Sequence, residues 1–241
     1  EAVLLKRDDG EYARAWYVDL GYGAEAFTTL ESAERFHRIA PRLPVLGVEI
    51  DPERVQAALP YEDELTRFRL GGFHLPLLPG ETVKMIRAFN VLRQYEETQV
   101  TETHAALLDQ LLPGGLLVEG TSDPFGRLWV ANVLRKASPA GGSETGLLFS
   151  TNFQGMDERG FDPAMFQAVL PKNYIHRMLP GERIEQFMTA WKECARQTVA
   201  LRTLGVRHWF AETARCLQAR GYQIDLRARL LKLGYLYWIQ S

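Results

Sequence analysis

Two carboxylates and a pair of closely spaced glycines carry the clearest chemical signal in the chain. In Tyr17-Val18-Asp19-Leu20-Gly21-Tyr22-Gly23-Ala24-Glu25-Ala26, an apolar β-prone run enters a glycine turn. Glycine adopts positive φ at low cost and lets the backbone approach a ligand closely. A second acid, Glu49, ends another apolar run 23 residues beyond Ala26. There a carboxylate can accept hydrogen bonds from ribose hydroxyls. Read literally, Gly21-x-Gly23-x-x-Ala26 with Glu49 satisfies a dinucleotide fingerprint. The charges point elsewhere. A pyrophosphate needs donors and no neighbouring anion, yet Asp19 precedes the first glycine and Glu25 lies inside the turn. Two carboxylates suit a ligand carrying an ammonium and a sulfonium better than one carrying two phosphates. Two enzyme chemistries therefore stand side by side: hydride transfer with NAD, and methyl transfer from S-adenosylmethionine (SAM).

The elements that must position these residues alternate. Strands are expected at Ala15–Leu20, Val45–Ile50, Thr66–Leu70, Val83–Phe89 and Leu116–Glu119. A helix over Thr28–Ala40 has Thr28 or Thr29 as its cap and Glu31 in the capping-box position. Asp51 and Pro52 open a helix to about Leu59, and Glu96–Leu112 is helical until Pro113-Gly114-Gly115 breaks it. Such alternation implies right-handed βαβ crossovers and a parallel sheet. Further on, the pattern predicts a helix over Arg127–Lys136, a loop over Ser138–Gly146 and a strand over Leu147–Asn152. Helices follow over Phe161–Ile175, Gly181–Leu204 and His208–Arg220, then closing strands over Tyr222–Arg229 and Leu233–Ile239. Glu1–Arg14 reads as a polar lead-in.

Three motifs in order resemble those of the class I SAM-dependent methyltransferases. Asp19-Leu20-Gly21-Tyr22-Gly23 resembles their first motif, Val45-Leu46-Gly47-Val48-Glu49-Ile50-Asp51 their second, and Leu111-Leu112-Pro113-Gly114-Gly115-Leu116-Leu117-Val118 the turn before their fifth strand. In finer detail the chain is similar to a bacterial branch of that family. The resemblance spans roughly Trp16 to Glu119. It implies an α/β, Rossmann-like class I methyltransferase fold, with a seven-stranded mostly parallel sheet flanked by helices and extra C-terminal helices. It reads residues 1–241 as a single domain, with 15–137 as the cofactor-binding core, 161–221 as a helical insertion or lid, and 222–241 as closing strands.

The resemblance also distributes roles for SAM as cofactor. Asp19 and the Gly21/Gly23 turn fall at its methionine part, Glu49 at the ribose, and Gly72 and Phe73 at the adenine, with Tyr22, Thr28 and Ile50 as further cofactor contacts. Arg87, Ala88 and Phe89 fall near the methyl group. Asn90, Arg93 and His74 are the candidate catalytic positions: a polar group by the acceptor, a clamp for an anionic substrate, and a base or adenine contact. The chain departs from the pattern in having Tyr22 for a commoner Cys or Ser, Glu25 for a third glycine, and no carboxylate after the third strand. A small-molecule acceptor is the leading expectation. NAD-linked oxidoreduction and a non-catalytic SAM-binding partner are the alternatives.

Composition bounds these readings. The chain holds 241 residues with 46% hydrophobic and 24% charged, enough for a sizeable core. No apolar run approaches the ~18–20 residues of a membrane helix, and no signal sequence is visible, so a cytoplasmic location without membrane partners is expected. The five histidines show no metal spacing. Cys194 and Cys216 are expected as buried thiols in a reducing compartment. Net charge is −2, but Lys172–Ser241 carries 12 Lys/Arg against 5 Asp/Glu, along with Trp191, Trp209, Phe210 and Trp238. Basic and aromatic residues together can bind RNA. Their helical spacing favours core packing instead.

Overall fold

Apolar strands alternating with amphipathic helices build, in a computed structural model describing residues 2–138, 142, 144–156 and 160–240, a single mixed sheet. Its strands are β1 (Trp16–Leu20), β2 (Val45–Glu49), β3 (Thr66–Leu70), β4 (Val83–Phe89), β5 (Leu111–Ser122), β6 (Leu128–Arg135), β7 (Glu144–Thr151) and β8 (Tyr235–Gln240). The order is β3-β2-β1-β4-β5-β6-β7-β8. The first five follow the doubly wound, Rossmann-like order. β1 runs parallel to β2 and β4, and β2 parallel to β3. β7 and β8 are antiparallel. Among the described residues the sheet thus has eight strands where the resemblance implied seven, with parallel pairs in its first part and an antiparallel pair at its end.

One strand is new against the sequence pattern: Arg127–Lys136, expected as a helix, is found as β6, while the strand expected over Tyr222–Arg229 does not form. Trp129, Val130 and Val133 favour a strand. A turn at its start also decides the matter: the Asp123 carboxylate accepts the N–H groups of Arg127 and Leu128, with Gly126 at φ 63°. A link this short joins only antiparallel neighbours. The Pro113-Gly114-Gly115 turn does not precede β5 but lies within its first residues. The loop expected over Ser138–Gly146 lies partly outside the described residues, and β7 already begins at Glu144.

Helices α1 (Ala2–Leu5), α2 (Phe27–His37), α3 (Pro52–Ala58) and α4 (Glu97–Asp109) belong to the first half. Asp51 caps α3 as expected, accepting from Glu53 and Arg54 N–H. α2 begins at Phe27, one residue before the expected threonines, so its cap position is Ala26, which has no side-chain acceptor, and Thr28 and Thr29 lie inside the first turn with their hydroxyls on Asp19. The lead-in is anchored: Lys84 Nζ donates to Arg7 O, and the Tyr12 hydroxyl bonds to Pro113 O. Later come α5 (Lys172–Ile175), α6 (Arg183–Gln197), α7 (Val206–Ala219) and α8 (Ala228–Lys232). The helix expected over Phe161–Ile175 is a 3₁₀ turn, Pro163–Val169, and then α5, since Pro163 and Pro171 interrupt it. Gly181–Leu204 divides into α6 and a 3₁₀ segment, Val199–Leu204. Tyr222–Arg229 makes only one bridge, Ile224 to Trp238, before α8; Asp225 accepts the Arg227 N–H and turns the chain.

The chain divides into two compact units, residues 1–119 with 133–144, and 120–132 with 145–241. The first has a core of Val18, Leu46, Val48, Ile86, Leu107 and Leu117. The second is built on aromatic rings. Phe187 stacks on Trp238 with centroids 4.1 Å apart, and Phe166 stacks on Trp191 at 5.3 Å. Trp191 Nε1 donates to Thr213 Oγ1, and Trp209 Nε1 to Ala195 O. Trp191, Trp209, Phe210 and Trp238 are all buried, so these rings are committed to the core rather than offered to nucleic-acid bases.

The two cysteines are not free thiols. Cys194 of α6 and Cys216 of α7 form a disulfide, 22 residues apart in sequence. The antiparallel packing of α6 on α7 brings them together, which helical periodicity alone does not disclose. Closing a loop of that length contributes about 3 kcal/mol. Reduction, or Cys194→Ser, is therefore expected to lower the melting temperature by roughly 6–12 °C. Identical melting with and without reductant in scanning calorimetry would refute the assignment.

Candidate functional site

The site is built at the carboxyl ends of β1, β2, β3 and β4, where ligands of open α/β sheets bind. Asp19, in β1, is fully buried. Its Oδ2 accepts from Thr28 Oγ1 at 2.8 Å and Thr29 Oγ1 at 2.9 Å, both in the first turn of α2. Its Oδ1 accepts from Arg87 Nη1 at 2.7 Å, and Arg87 is the residue opposite Asp19 in the β1–β4 register. Burial works against the Arg87 charge, but Asp19 outweighs it and holds the guanidinium above its ordinary range. The guanidinium also lies 4.4 Å from the centre of the Phe89 ring.

The glycines serve two purposes. At Gly21, φ is 71° and a Cβ would fall 2.5 Å from Val91 Cγ2. Its missing side chain thus admits the turn that follows β4, in which Asn90 takes φ 62°. At Gly23, φ is 89° and a Cβ would meet nothing within 4 Å. The Gly23 N–H donates to Glu49 Oε2 at 2.9 Å. Glu49 Oε1 accepts from Ile50 N–H at 2.9 Å, and Arg54 Nη1 lies 3.8 Å away. Glu49 is only 4% exposed, whereas Ile50 is 70% exposed.

Between the glycines, Tyr22 turns inward. Its ring packs edge-on against Phe68 at 5.4 Å. Burial, with the charge of Glu49, pushes its hydroxyl up to about 12. Beyond β3, a Cβ on Gly72 would meet nothing within 4 Å. The Phe73 ring sits 5.1 Å from that of Tyr95, and Gln110 pins the segment by donating to Phe73 O and accepting from Leu75 N–H. Ala88 is buried in β4, while His74, Asn90 and Arg93 are exposed near the strand ends.

The structure therefore gathers Asp19, Thr28, Arg87 and Phe89 into one cluster, and Gly23, Glu49 and Ile50 into another. Two pairings escaped the sequence reading. One is Asp19 with Arg87. The other is His104 of α4 with Glu119 of β5, 3.3 Å apart and both buried. His104 lies among the apolar positions Val100, Thr103 and Leu107, a signal that it faces the sheet. Among the described residues no group of three metal-ligating side chains occurs, and no helix is long and apolar enough to cross a membrane.

No protein-family model matches the chain, and no curated protein matches its sequence. Solved structures resemble part of it. The N-methyltransferase NodS from Bradyrhizobium japonicum WM9 is 21% identical over 50% of this chain and 64% of its own, with a TM-score of 0.35. Human N-acetylserotonin methyltransferase in complex with SAM is 22% identical over 52% of this chain and 35% of its own, with a TM-score of 0.36. LepI in complex with SAM is 18% identical over 51% and 31%, with a TM-score of 0.39. In all three the chain spans less than two thirds of the neighbour's length.

The Asp19–Arg87 pair makes a stability prediction. Removing one partner of a buried pair strands the other charge and costs about 3–5 kcal/mol. Arg87→Met should lower the unfolding free energy by about 3 kcal/mol, while adding Asp19→Asn should restore most of it. Equal denaturation midpoints for Arg87→Met and the unsubstituted protein would show that the pair carries no such load.

Proposed function

We propose that this chain binds SAM through Glu49 and the Gly21/Gly23 turn and transfers its methyl group to a small-molecule acceptor. The observation that carries this reading is the hydrogen bond from Gly23 N–H to Glu49 Oε2. A dinucleotide needs the amides of such a turn for its pyrophosphate. Here the Gly23 amide is spent on a carboxylate, and a phosphate placed there would meet that anion at contact distance. Ribose hydroxyls are neutral donors. A carboxylate oxygen has two acceptor sites, so Oε2 retains one for a hydroxyl. Beside it, exposed Ile50 offers an apolar face to a purine ring, and the open backbone at Gly72 leaves room for its edge. The residues present thus fit an adenosyl group.

SAM supplies an electrophilic methyl carbon on a sulfonium, so the protein's task is alignment and exclusion of water. Asn90, Arg93 and His74 stand at the strand ends that would border the acceptor. Asn90 offers a hydrogen-bonding amide, Arg93 a clamp for an anionic group, and His74 a base for an acceptor that must lose a proton. No single side chain is indispensable to such chemistry. A SAM-binding partner protein without catalysis is the second reading, favoured only by that absence of a signature residue.

Thermal unfolding with SAM, S-adenosylhomocysteine and NAD, each at saturation, tests the cofactor. A ligand at 100 times its dissociation constant adds ~2.7 kcal/mol, a rise of roughly 5–10 °C for a chain of this size. Both adenosyl ligands should give it and NAD should not, and Glu49→Ala should abolish most of it. A rise with NAD alone would overturn the reading.

A further inference from the structure

Arg87 has more hydrogen-bonding capacity than its partner consumes. A guanidinium carries five N–H donors in a planar fork and no acceptor. One donor, on Nη1, goes to Asp19 Oδ1 at 2.7 Å. Among the described residues Nε and Nη2 make no hydrogen bond. The side chain keeps 28% of its surface exposed, whereas that of Asp19 keeps 0%. Asp19 has in turn committed its other oxygen to Thr28 and Thr29. The acid that an ammonium or a sulfonium would seek is therefore neutralised and out of reach, and the group beside it that retains capacity is a cation.

Position adds to this. β1 lies between β2 and β4. Gly47 and Arg87 both lie level with Asp19, so Glu49, two residues further along β2, stands two strand spacings and two residues from Arg87, about 12 Å between backbones. That span is comparable with the distance from the ribose to the amino-acid terminus of an extended adenosyl amino acid. The only anion such a ligand carries is its α-carboxylate, and a planar guanidinium fork matches a carboxylate through paired donors.

We propose that Arg87 binds the α-carboxylate of the cofactor, and that Asp19 acts through Arg87, fixing the plane of the guanidinium without touching the ligand. This rests on the SAM reading and adds to it a specificity rule. Adenosyl ligands with a free carboxylate are preferred over those without one, and the residue that sets the preference lies in β4 rather than in the glycine turn.

Isothermal titration calorimetry tests it with three ligands: S-adenosylhomocysteine, its decarboxylated analogue, and 5′-methylthioadenosine, which lacks the amino-acid end altogether. The protein should bind S-adenosylhomocysteine about tenfold or more tightly than the decarboxylated analogue, the scale of a charge-assisted hydrogen bond. Arg87→Lys, which keeps a cation opposite Asp19 but loses the fork, should cut that ratio several-fold. The double variant Asp19→Asn/Arg87→Met, which leaves no stranded charge, should bring it close to one. Methylthioadenosine should bind all three proteins alike, reporting an intact adenosine half. A ratio near one in the unsubstituted protein, or a ratio unchanged in both variants, overturns the assignment of Arg87 while leaving the cofactor in place. If none of the three ligands binds the unsubstituted protein, the SAM reading fails and the assignment falls with it.

Discussion

A carboxylate with no exposed surface must find its counter-charge and its hydrogen bonds inside the protein, and Asp19 is the point where this chain meets that constraint. Its partners come from three elements: Thr28 and Thr29 from α2, and Arg87 from β4, with Asp19 itself in β1. One buried charge thus fixes the entry angle of α2, the register of β4 beside β1, and the glycine turn that begins two residues later. Thr28 and Thr29 lie inside the first turn of α2, behind Ala26 at the cap position, and tie that turn to Asp19. The helix has no side-chain cap but is tied to the sheet through its first turn.

Glu49 plays the complementary part at the end of β2. It too is buried and filled largely by backbone N–H groups. Unlike Asp19, it faces no cation within 3 Å, and its nearest guanidinium, Arg54, stands 3.8 Å off. Asp19 is thus met by a guanidinium at hydrogen-bond distance, and Glu49 by backbone N–H groups and a guanidinium at 3.8 Å. The two carboxylates, alike in sequence, are compensated by different partners in the fold. The balance of charge that a ligand meets follows from their partners rather than from their number.

Much of the first half was legible because its signals are local. Apolar runs closed by glycine or proline placed β1 to β4, Asp51-Pro52 placed the start of α3, and the two glycines marked a turn where φ is indeed positive. What escaped depends on direction or on long-range pairing. Tyr22 sits between the two glycines of the turn yet packs inward on Phe68, because Gly47 leaves room beneath it. The partners of Asp19 and Glu119 come from elements 68 and 15 residues away. β6 was misread because its apolar residues fit either periodicity, and only the Asp123 turn settles which is formed. The disulfide required knowing that α6 and α7 lie side by side.

Gly21 shows that a glycine in such a turn need not be there for a ligand. The space a side chain would fill is taken by a methyl group of Val91. Positions 21 and 91 are therefore a matched pair whose permitted residues depend on one another. An alanine at 21 becomes sterically admissible only if 91 shrinks to alanine or glycine, and it still bears the positive φ. A larger residue at 91 would lift the turn after β4 off the glycine loop. In any diversification of this chain the two sites should change together or not at all, although 70 residues separate them.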